Sequence, residues 1–364
     1  GAVHQYVVNN PDYLLGGRSE RAVVDPQNPF IRSAHLLCAA YELPLEDRDR
    51  EYFGADMETL LGILAEGGYL LQRHKWYWLD PDVYPAAEVS IRSASGTSYR
   101  IEAGAERRLL GTIDADSALR LVHPGAIYLH AGETYRVEEL DVDQRTAWVQ
   151  PVRVDYYTRA LVMSEVRRGE RLEKRALSAE VGLELTNVEV RSQVTGYQKV
   201  RQVTEQLLGG EDLSLPAESY ETVGLWVLPT GKALRPEAGQ PLDLAGSLHA
   251  LEHVLINLLP LFVACEPHDV GGVSSAMHPD LGGPGICLYD GCAGGVGFAQ
   301  AALGRLEELL AAAAERIGTC PCTDGCPGCV QQPGCGSMNR PLSKAGALAL
   351  AEHWLRQRGC LDAC

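Results

Sequence analysis

The chain has 364 residues, of which 46% are hydrophobic, and this length predicts two or three packed domains rather than one. Its formal net charge of −16 argues against a protein whose whole surface binds nucleic-acid phosphates, although it leaves room for a local basic groove. The sequence has no run of eighteen apolar residues and no signal-peptide pattern, so we expect neither a membrane span nor secretion. The opening Gly1-Ala2 resembles a scar of tag cleavage, and we expect a longer parent protein.

The first part of the chain changes from a loop-like to a helical pattern. Residues 1–30 are rich in Asn, Pro and Gly, and we expect an extended lead-in there. In residues 31–85, "SAHLLCAAYEL", "DRDREYFG" and "METLLGILAEGGYL" have helical spacing, and "YLLQRHKWYWL" then alternates like a pair of strands. Three short helices followed by a hairpin predict a winged-helix-like module, with an unspecialised α+β domain as the alternative.

Residues 86–230 are dominated by strand patterns. "GAIYLHAGETYRVEELDVDQRTAWVQPV" alternates across two turns, one at Ala131-Gly132 and one at 141–145, and "EVSIRS" and "NVEVRSQVTGYQKV" are further strand patterns. Many short strands with frequent turns predict a β-rich connector that forms a small barrel or sandwich. A Pro- and Gly-rich linker is expected at 229–241. The predicted fold class is α+β, with several domains.

Three more helices are predicted in residues 231–364. Their patterns are "LDLAGSLHALEHVLINLLPLFVACE", interrupted at Pro260, "FAQAALGRLEELLAAAAERIG", and "LSKAGALALAEHWLRQRG", which Ser343 is expected to cap and Gly359 to end. Ten of the eleven cysteines follow residue 264, and such clustering is typical of a metal site in a reducing compartment. We therefore expect a helical zinc-binding domain here.

The segment "CPCTDGCPGC" supplies four thiols within ten residues. Four thiolates are the number that a closed tetrahedral zinc site takes, with no open position for water. The spacing C-x-C-x3-C-x2-C predicts one structural zinc ion bound by the four cysteines of the motif: Cys320, Cys322, Cys326 and Cys329. Cys335, in "QPGCG", is an alternative ligand in place of Cys320 or Cys322. An iron–sulfur cluster, a redox pair and a group of free thiols are the alternative interpretations.

Two further motifs allow a functional and a structural interpretation. "HALEH" fits the H-x-x-E-H pattern of zinc peptidases, with His249 and His253 on one helix face and Glu252 as the base, but histidines on so apolar a helix are often structural. "YDGCAGGVGF" at 289–298 precedes a helix and would either cradle a phosphate or form a tight turn against another backbone. We find no P-loop and no DEAD-type box, so the chain is not expected to carry an ATPase of its own.

The hairpin sequence "RHKWYW" combines basic and aromatic residues, a combination suited to single-stranded nucleic acid. The candidate residues there are Arg73, Lys75, Trp76 and Trp78. The alternative is a strand whose tryptophans pack inward.

A family resemblance rests on "DPQNPFIRSAHLLCAAYELPL", "HPGAIYLHAGETYRVEELD", "LHALEHVLINLLPLFV", "YDGCAGGVGFA" and "CPCTDGCPGCVQQPGCGSMNRPLSK". In this order, these segments resemble the region after the two RecA-like domains of the bacterial mitomycin-repair-factor helicases. Those are superfamily 2 DEAD/DEAH-type DNA helicases with a cysteine-rich zinc-binding domain that was once a domain of unknown function. The resemblance covers nearly the whole chain and is most specific in the cysteine segment.

The resemblance implies an accessory C-terminal region of an ATP-dependent 3′-5′ DNA helicase that acts in DNA repair, with the four motif cysteines as its zinc ligands. ATP would bind only in the RecA-like core of the full-length protein, so this chain alone is not expected to be an enzyme. The implied partners are single-stranded or forked DNA and that core, and the implied location is the cytoplasm, at the nucleoid. Arg340 and Lys344 flank the metal site and are further candidates for phosphate contacts. The competing functions are a zinc-stabilised protein–protein scaffold, which the acidic charge favours, and a zinc peptidase.

Overall fold

The structure, a computed structural model, describes residues 1–16, 23–87, 89, 97–104, 106–235, 242–266 and 269–358. The chain forms two compact units, which are treated separately here. The smaller unit consists of Val24–Val152 and Cys292–Val296. The larger unit consists of Gly1–Val23, Arg153–Gly291 and Gly297–Cys364. Each unit is therefore assembled from segments that are discontinuous in sequence.

The start of the chain is helical, so the prediction of an extended lead-in is wrong for residues 2–15. Helix α1 covers Ala2–Asn9 and helix α2 covers Pro11–Leu15. Pro11 occupies the first turn of α2, where its missing N–H costs nothing and its fixed φ favours the helix. Pro11 belongs to the Asn-, Pro- and Gly-rich composition from which the extended lead-in was predicted, yet it begins a helix.

In the smaller unit, three helices precede a two-stranded antiparallel hairpin, in the predicted order. These elements are α3 (Pro29–Glu42), α4 (Arg50–Phe53), α5 (Met57–Glu66), β1 (Leu70–Gln72) and β2 (Trp76–Trp78). Helix α3 begins at a strong cap, because the Asn28 side chain accepts hydrogen bonds from the backbone N–H groups of Phe30 and Ile31, at 2.8 and 3.2 Å. The apolar faces of α3, α5 and the hairpin meet in one core that includes Leu36, Leu61 and Trp76.

A five-stranded sheet and one helix complete the smaller unit. The elements are β3 (Ser98–Ala103), β4 (Arg108–Asp114), α6 (Ala115–Leu121), β5 (Ile127–His130), β6 (Glu133–Asp141) and β7 (Thr146–Pro151). The strand order is β4-β3-β7-β6-β5, with only β3 and β7 parallel. The predicted turn between β5 and β6 is confirmed: Ala131 and Gly132 both have positive φ, 50° and 82°, as a tight hairpin turn requires. The predicted strand "EVSIRS" lies outside the described residues, apart from Val89.

The larger unit contains a six-stranded antiparallel sheet. Its strands are β8 (Tyr156–Ser178), β9 (Val181–Arg201), β10 (Leu207–Asp212), β11 (Glu218–Pro229), β12 (Val270–His278) and β13 (Gly283–Asp290). The order is β10-β9-β11-β13-β12, and β8 pairs with β9 along nearly its whole length. Strands β12 and β13 follow the boundary predicted at residue 230, so the sheet crosses that boundary. The expected linker forms a short 3-10 helix at Gly231–Leu234, and 236–241 lie outside the described residues.

Three long helices pack in the larger unit: α7 (Leu244–Leu258), α8 (Phe298–Thr319) and α9 (Lys344–Arg358). Helix α7 contacts α8, α9 and β12 and is almost entirely buried. Within the described residues, one stretch, Leu244–Leu261, is long and apolar enough to cross a membrane, and 72% of it is buried inside the structure. The predicted cap of α9 is confirmed, because the Ser343 hydroxyl accepts a hydrogen bond from the Gly346 N–H at 3.2 Å. The predicted end at Gly359 lies outside the described residues.

Candidate metal centre and nucleic-acid interface

The four-cysteine segment connects the end of α8 to the loop that leads into α9. Cys320 caps the C-terminus of α8, and its side chain turns back towards the other three thiols. The Cys326 N–H donates a hydrogen bond to the Cys329 sulfur at 3.3 Å, so the C-x2-C pair forms a tight knuckle. The local sequence, with Pro and Gly between the cysteines, thus presents four sulfurs to one point.

The four sulfurs are spaced as a tetrahedral zinc site requires. The Sγ atom of Cys320 lies 3.6 Å from the Sγ atoms of both Cys322 and Cys326. The Sγ atom of Cys329 lies 3.5 Å from that of Cys322 and 3.7 Å from that of Cys326. Tetrahedral Zn²⁺ with Zn–S bonds of about 2.3 Å places its sulfurs about 3.8 Å apart, whereas a disulfide would need about 2.05 Å. All four cysteines are free thiols. The donor set therefore fits a closed structural zinc.

The thiols of this cluster differ in acidity. Burial opposes ionisation of Cys320, but hydrogen bonds from Cys322, Cys326 and Arg316 outweigh it and lower its pKa to about 6. Burial raises the pKa of Cys329 to about 12. Zinc binds thiolates, and its charge supplies the stabilisation that ionisation of all four sulfurs needs.

A second group of metal-ligand side chains lies nearby in the larger unit. It consists of His249 and His253, one turn apart on α7, and Cys335, in the loop that follows the cysteine knuckle. One ligand atom from each residue lies within 4.8 Å of the others, and the two imidazole rings are 4.3 Å apart, edge to face. The structure thus places Cys335, which was predicted as an alternative ligand in place of Cys320 or Cys322, with the two histidines rather than with the four cysteines.

Hydrogen bonds shift the pKa values of two members of this second group in opposite directions. Burial opposes ionisation of both Cys335 and His249. Hydrogen bonds from His249, His253 and Ser337 outweigh burial at Cys335 and lower its pKa to about 5. The hydrogen bonds of His249 to Cys335 and to the Pro341 carbonyl raise the pKa of that histidine to about 9. A thiolate beside imidazole nitrogens is the form of cysteine that binds metals.

Glu252, the glutamate of the H-x-x-E-H pattern, does not face an accessible site. Its side chain is 5% exposed and accepts a hydrogen bond from the Ser274 hydroxyl at 2.5 Å. Desolvation raises the pKa of this carboxyl. A peptidase base must reach a water and a peptide substrate, so this arrangement gives the peptidase interpretation no support.

The glycine-rich segment before α8 is a tight turn rather than a phosphate cradle. The buried Asp290 carboxylate accepts hydrogen bonds from the N–H groups of Gly297, Phe298 and Ala299, at 2.8, 3.1 and 2.7 Å. These are the donors that a bound phosphate would use at a helix N-terminus. The chain's own carboxylate takes the anion position.

The predicted DNA-binding residues of the hairpin differ in their surroundings. Arg73 is exposed, whereas Lys75 forms an ion pair with Glu46. Trp76 is 8% exposed and belongs to the core of the smaller unit, so it offers no face for a base to stack on. Trp78 is half-buried, packs edge to face with Tyr41 and donates its N–H to the Asp80 carbonyl. Trp76 therefore packs inward, as the alternative interpretation predicted. Arg73 is the most accessible of the four candidates.

The two candidates beside the cysteine cluster also differ. Arg340 is exposed, and its backbone N–H lies 3.4 Å from the Ser337 hydroxyl. The Lys344 ammonium group donates hydrogen bonds to the backbone carbonyls of Cys320 and Cys322. An ammonium group has three donors, so two of those of Lys344 are engaged in holding the metal loop.

Comparison with known proteins identifies both predicted modules. Residues 24–94 match the winged helix domain of the ATP-dependent helicase HRQ1, and residues 251–330 match the MrfA Zn-binding domain. The chain is 33% identical over 331 residues to the uncharacterized ATP-dependent helicase YprA of Bacillus subtilis, which covers 90% of this chain and 44% of that protein. A crystal structure of the DUF1998 helicase MrfA aligns over 91% of this chain and 46% of its own, with a TM-score of 0.62 and 30% identity. The chain is similar to a C-terminal region of the MrfA- and Hrq1-type helicases.

A second MrfA structure, described as bound to DNA, covers 97% of this chain and 46% of its own, with a TM-score of 0.51 and 30% identity. The chain thus spans less than half the length of these relatives. The two domain matches, the MrfA structure and the cysteine cluster confirm the predicted α+β class, the winged-helix module and the structural zinc. The match to the zinc-binding domain includes the four clustered cysteines but neither His249 nor Cys335.

Sequence reasoning missed the grouping of His249, His253 and Cys335. The histidines were recognised from their spacing, but they were paired with Glu252, which is close in sequence. Cys335 was assigned to the cysteines that precede it in the chain. The sequence signal was a cysteine outside the four-cysteine motif and two histidines that lie 86 and 82 residues before it. These residues meet because the loop that carries Cys335 packs against α7.

Proposed function

We propose that this chain is the accessory C-terminal region of an ATP-dependent DNA helicase and that it binds DNA beside a RecA-like core supplied by the same full-length protein. The observation that carries the proposal is the similarity, over 97% of the chain, to the MrfA helicase described as bound to DNA. The absence of ATPase motifs from this sequence fits an accessory role. In this role the zinc holds the metal loop rigid between α8 and α9.

The finer parts of the proposal come from the resemblance of the sequence to the mitomycin-repair-factor helicases. They are 3′-5′ movement on the strand, a preference for single-stranded or forked DNA, a role in DNA repair, and a cytoplasmic location at the nucleoid. The net charge of −16 means that any DNA contact must be local. Exposed basic side chains such as Arg73 and Arg340 are the proposed phosphate contacts, and Trp78 the proposed stacking residue of the hairpin.

Binding of labelled single-stranded and forked DNA to the zinc-loaded chain, measured by fluorescence anisotropy across a salt series, tests this proposal. Each lost phosphate contact on single-stranded DNA lowers the slope of log K against log salt by about 0.7. We expect such a change for Arg73→Ala and Arg340→Ala. Arg48→Ala and Arg356→Ala are the matched controls, since both arginines are exposed and already paired with a glutamate, Arg48 with Glu46 and Arg356 with Glu352.

The protein–protein scaffold is the alternative outcome of the same experiment. If the zinc-loaded chain binds neither DNA at low salt, the DNA-binding proposal fails and the scaffold is favoured. If it binds DNA but all four arginine variants behave alike, DNA binding stands and the assignment of Arg73 and Arg340 fails.

A further inference from the structure

The orientation of the two histidine rings beside Cys335 is fixed by backbone carbonyls. The Nδ1 atom of His249 lies 2.7 Å from the Pro341 carbonyl oxygen, and that of His253 lies 3.0 Å from the Val330 carbonyl oxygen. A carbonyl oxygen only accepts hydrogen bonds, so each Nδ1 must carry the ring proton. In the neutral ring, Nε2 then presents a free lone pair. A hydrogen bond from one ring nitrogen to a carbonyl is the support that metal-binding histidines normally have.

One ring nitrogen of each histidine lies close to the Cys335 sulfur. The Nε2 atom of His249 lies 3.6 Å from the Sγ atom of Cys335, and all three ligand atoms lie within 4.8 Å of one another. One divalent cation bound by both imidazoles and the Cys335 thiolate would displace the proton that lies between these groups. Tetrahedral zinc with Zn–S of about 2.3 Å and Zn–N of about 2.05 Å sets sulfur and nitrogen about 3.6 Å apart.

The sulfur is supported in the way a thiolate ligand needs. The Asn339 N–H lies 3.4 Å from it and the Ser337 hydroxyl lies 3.2 Å from it, so both can donate hydrogen bonds to it. Cys335 also lines a surface cleft with Gly334 and Asn339, which gives an ion a path to the site. The loop around it is held on the sheet, because the Val162 N–H donates to the Gly334 carbonyl at 3.1 Å.

We propose that His249, His253 and Cys335 form a second metal site, distinct from the four-cysteine site, that binds Zn²⁺ or a divalent ion of similar softness. Two imidazoles and one thiolate suit zinc, and three protein ligands leave a fourth position for water or another small ligand. The ion would join the loop after the knuckle to the buried helix α7. The segment between α8 and α9 begins with the four-cysteine site and ends with the loop that carries Cys335. The first zinc would therefore hold the beginning of this segment and the second ion its end.

Metal stoichiometry and ligand type in the full chain test this proposal. We would purify the chain under reducing conditions, load it with Zn²⁺, remove unbound ion, and measure zinc and sulfur by elemental analysis. X-ray absorption at the zinc edge of the same sample reports the ligands. We expect two zinc ions per chain and a ligand shell with both sulfur and nitrogen. One zinc in an all-sulfur shell would overturn the proposal, and this measurement on the wild-type chain does not depend on how any variant folds.

Variants then identify the ligands. Cys335→Ser and His249→Ala should each reduce the content from two zinc ions to one and remove the nitrogen signal, with the helical circular dichroism retained. His130→Ala is the matched control, because His130 lies in the smaller unit and should leave both ions bound. A second ion that survives both Cys335→Ser and His249→Ala would overturn the assignment. Reloading with Co²⁺ gives an independent reading, since sulfur-to-cobalt absorption from the mixed site should disappear in Cys335→Ser while that of the four-cysteine site remains.

Discussion

The ammonium nitrogen of Lys344 lies 2.7 Å from the backbone carbonyl oxygen of Cys320. It also donates to the Cys322 carbonyl, so the first residue of α9 holds both ends of the C-x-C turn. The charge of this lysine is thereby engaged in the loop that carries the metal ligands. A side chain first considered as a phosphate contact has a structural task, and the two roles make different predictions.

Lys344→Met should destabilise the metal loop, because two carbonyls lose a charged donor. Hydrogen bonds to charged groups contribute about 1.5–3 kcal/mol, and we expect a loss of that order in the free energy of unfolding of the zinc-loaded chain. Urea denaturation followed by circular dichroism measures it. Arg340→Met is the control and should unfold as the wild type does, since the Arg340 side chain is exposed. Equal stability of the two variants would remove Lys344 from the support of the loop.

Removal of one clustered thiol should release the structural zinc. Cys329→Ser replaces a fully buried ligand, and a tetrahedral site with three thiolates binds zinc much more weakly than one with four. Because metal binding is linked to folding, the variant should unfold at a lower temperature and gain little from added zinc. Thermal unfolding with and without Zn²⁺ measures this. Cys38→Ser, in helix α3 of the smaller unit, should respond to zinc as the wild type does; an equal loss in both variants would contradict the assignment.

Asp290→Asn should destabilise the start of helix α8. The carboxylate receives three backbone hydrogen bonds at the positive end of the helix dipole, and an amide replaces one acceptor oxygen with a donor. We expect a loss of about 1–3 kcal/mol in the free energy of unfolding, since buried N–H groups lose their partner. Asp212→Asn, on an exposed position of β10, is the control. Chemical denaturation compares the two, and an unchanged midpoint for Asp290→Asn would show that the turn is held by other contacts.

Gly336→Ala should displace the loop that carries Cys335. A Cβ atom at this position would lie 2.4 Å from the Val162 carbonyl oxygen, and backbone atoms of a paired strand cannot move away cheaply. We expect lower stability and faster amide exchange in the loop, measured by hydrogen–deuterium exchange with mass spectrometry. Gly304→Ala is the matched substitution in helix α8, where a Cβ meets no atom within 4 Å, and it should stabilise by about 0.5–1 kcal/mol through helix propensity. Similar exchange in both variants would mean that the loop tolerates a methyl group at Gly336.

Features encoded by short spacing could be predicted from the sequence. The Ala-rich pattern of α8, the cap at Ser343 and the four-cysteine knuckle each depend on residues within a few positions of one another. Strands β12 and β13 were missed because "VGGVSSAMH" and "GPGICLYD" are rich in Gly and Ser, which have low strand propensity, and their pairing with β11 is set by the sheet rather than by local preference. The prediction of an extended lead-in was wrong because Pro11, read as a loop residue, occupies the first turn of a helix. The contact between His249 and Cys335 joins residues that are 86 positions apart, and hydrophobic periodicity cannot predict contacts at that separation.

The discontinuity of the larger unit imposes an order on its folding during synthesis. The hydroxyl of Tyr13 donates to the Leu261 carbonyl at 2.8 Å, across 248 residues, and α1 packs against α7. At roughly 5–20 residues per second, translation separates the two partners by roughly 12–50 s. Throughout that interval, Tyr13 and helix α1 lack the partners that they have in the folded larger unit, although the smaller unit can already form most of its core. Helix α1 and Tyr13 can therefore dock only after α7 and Leu261 have been synthesised.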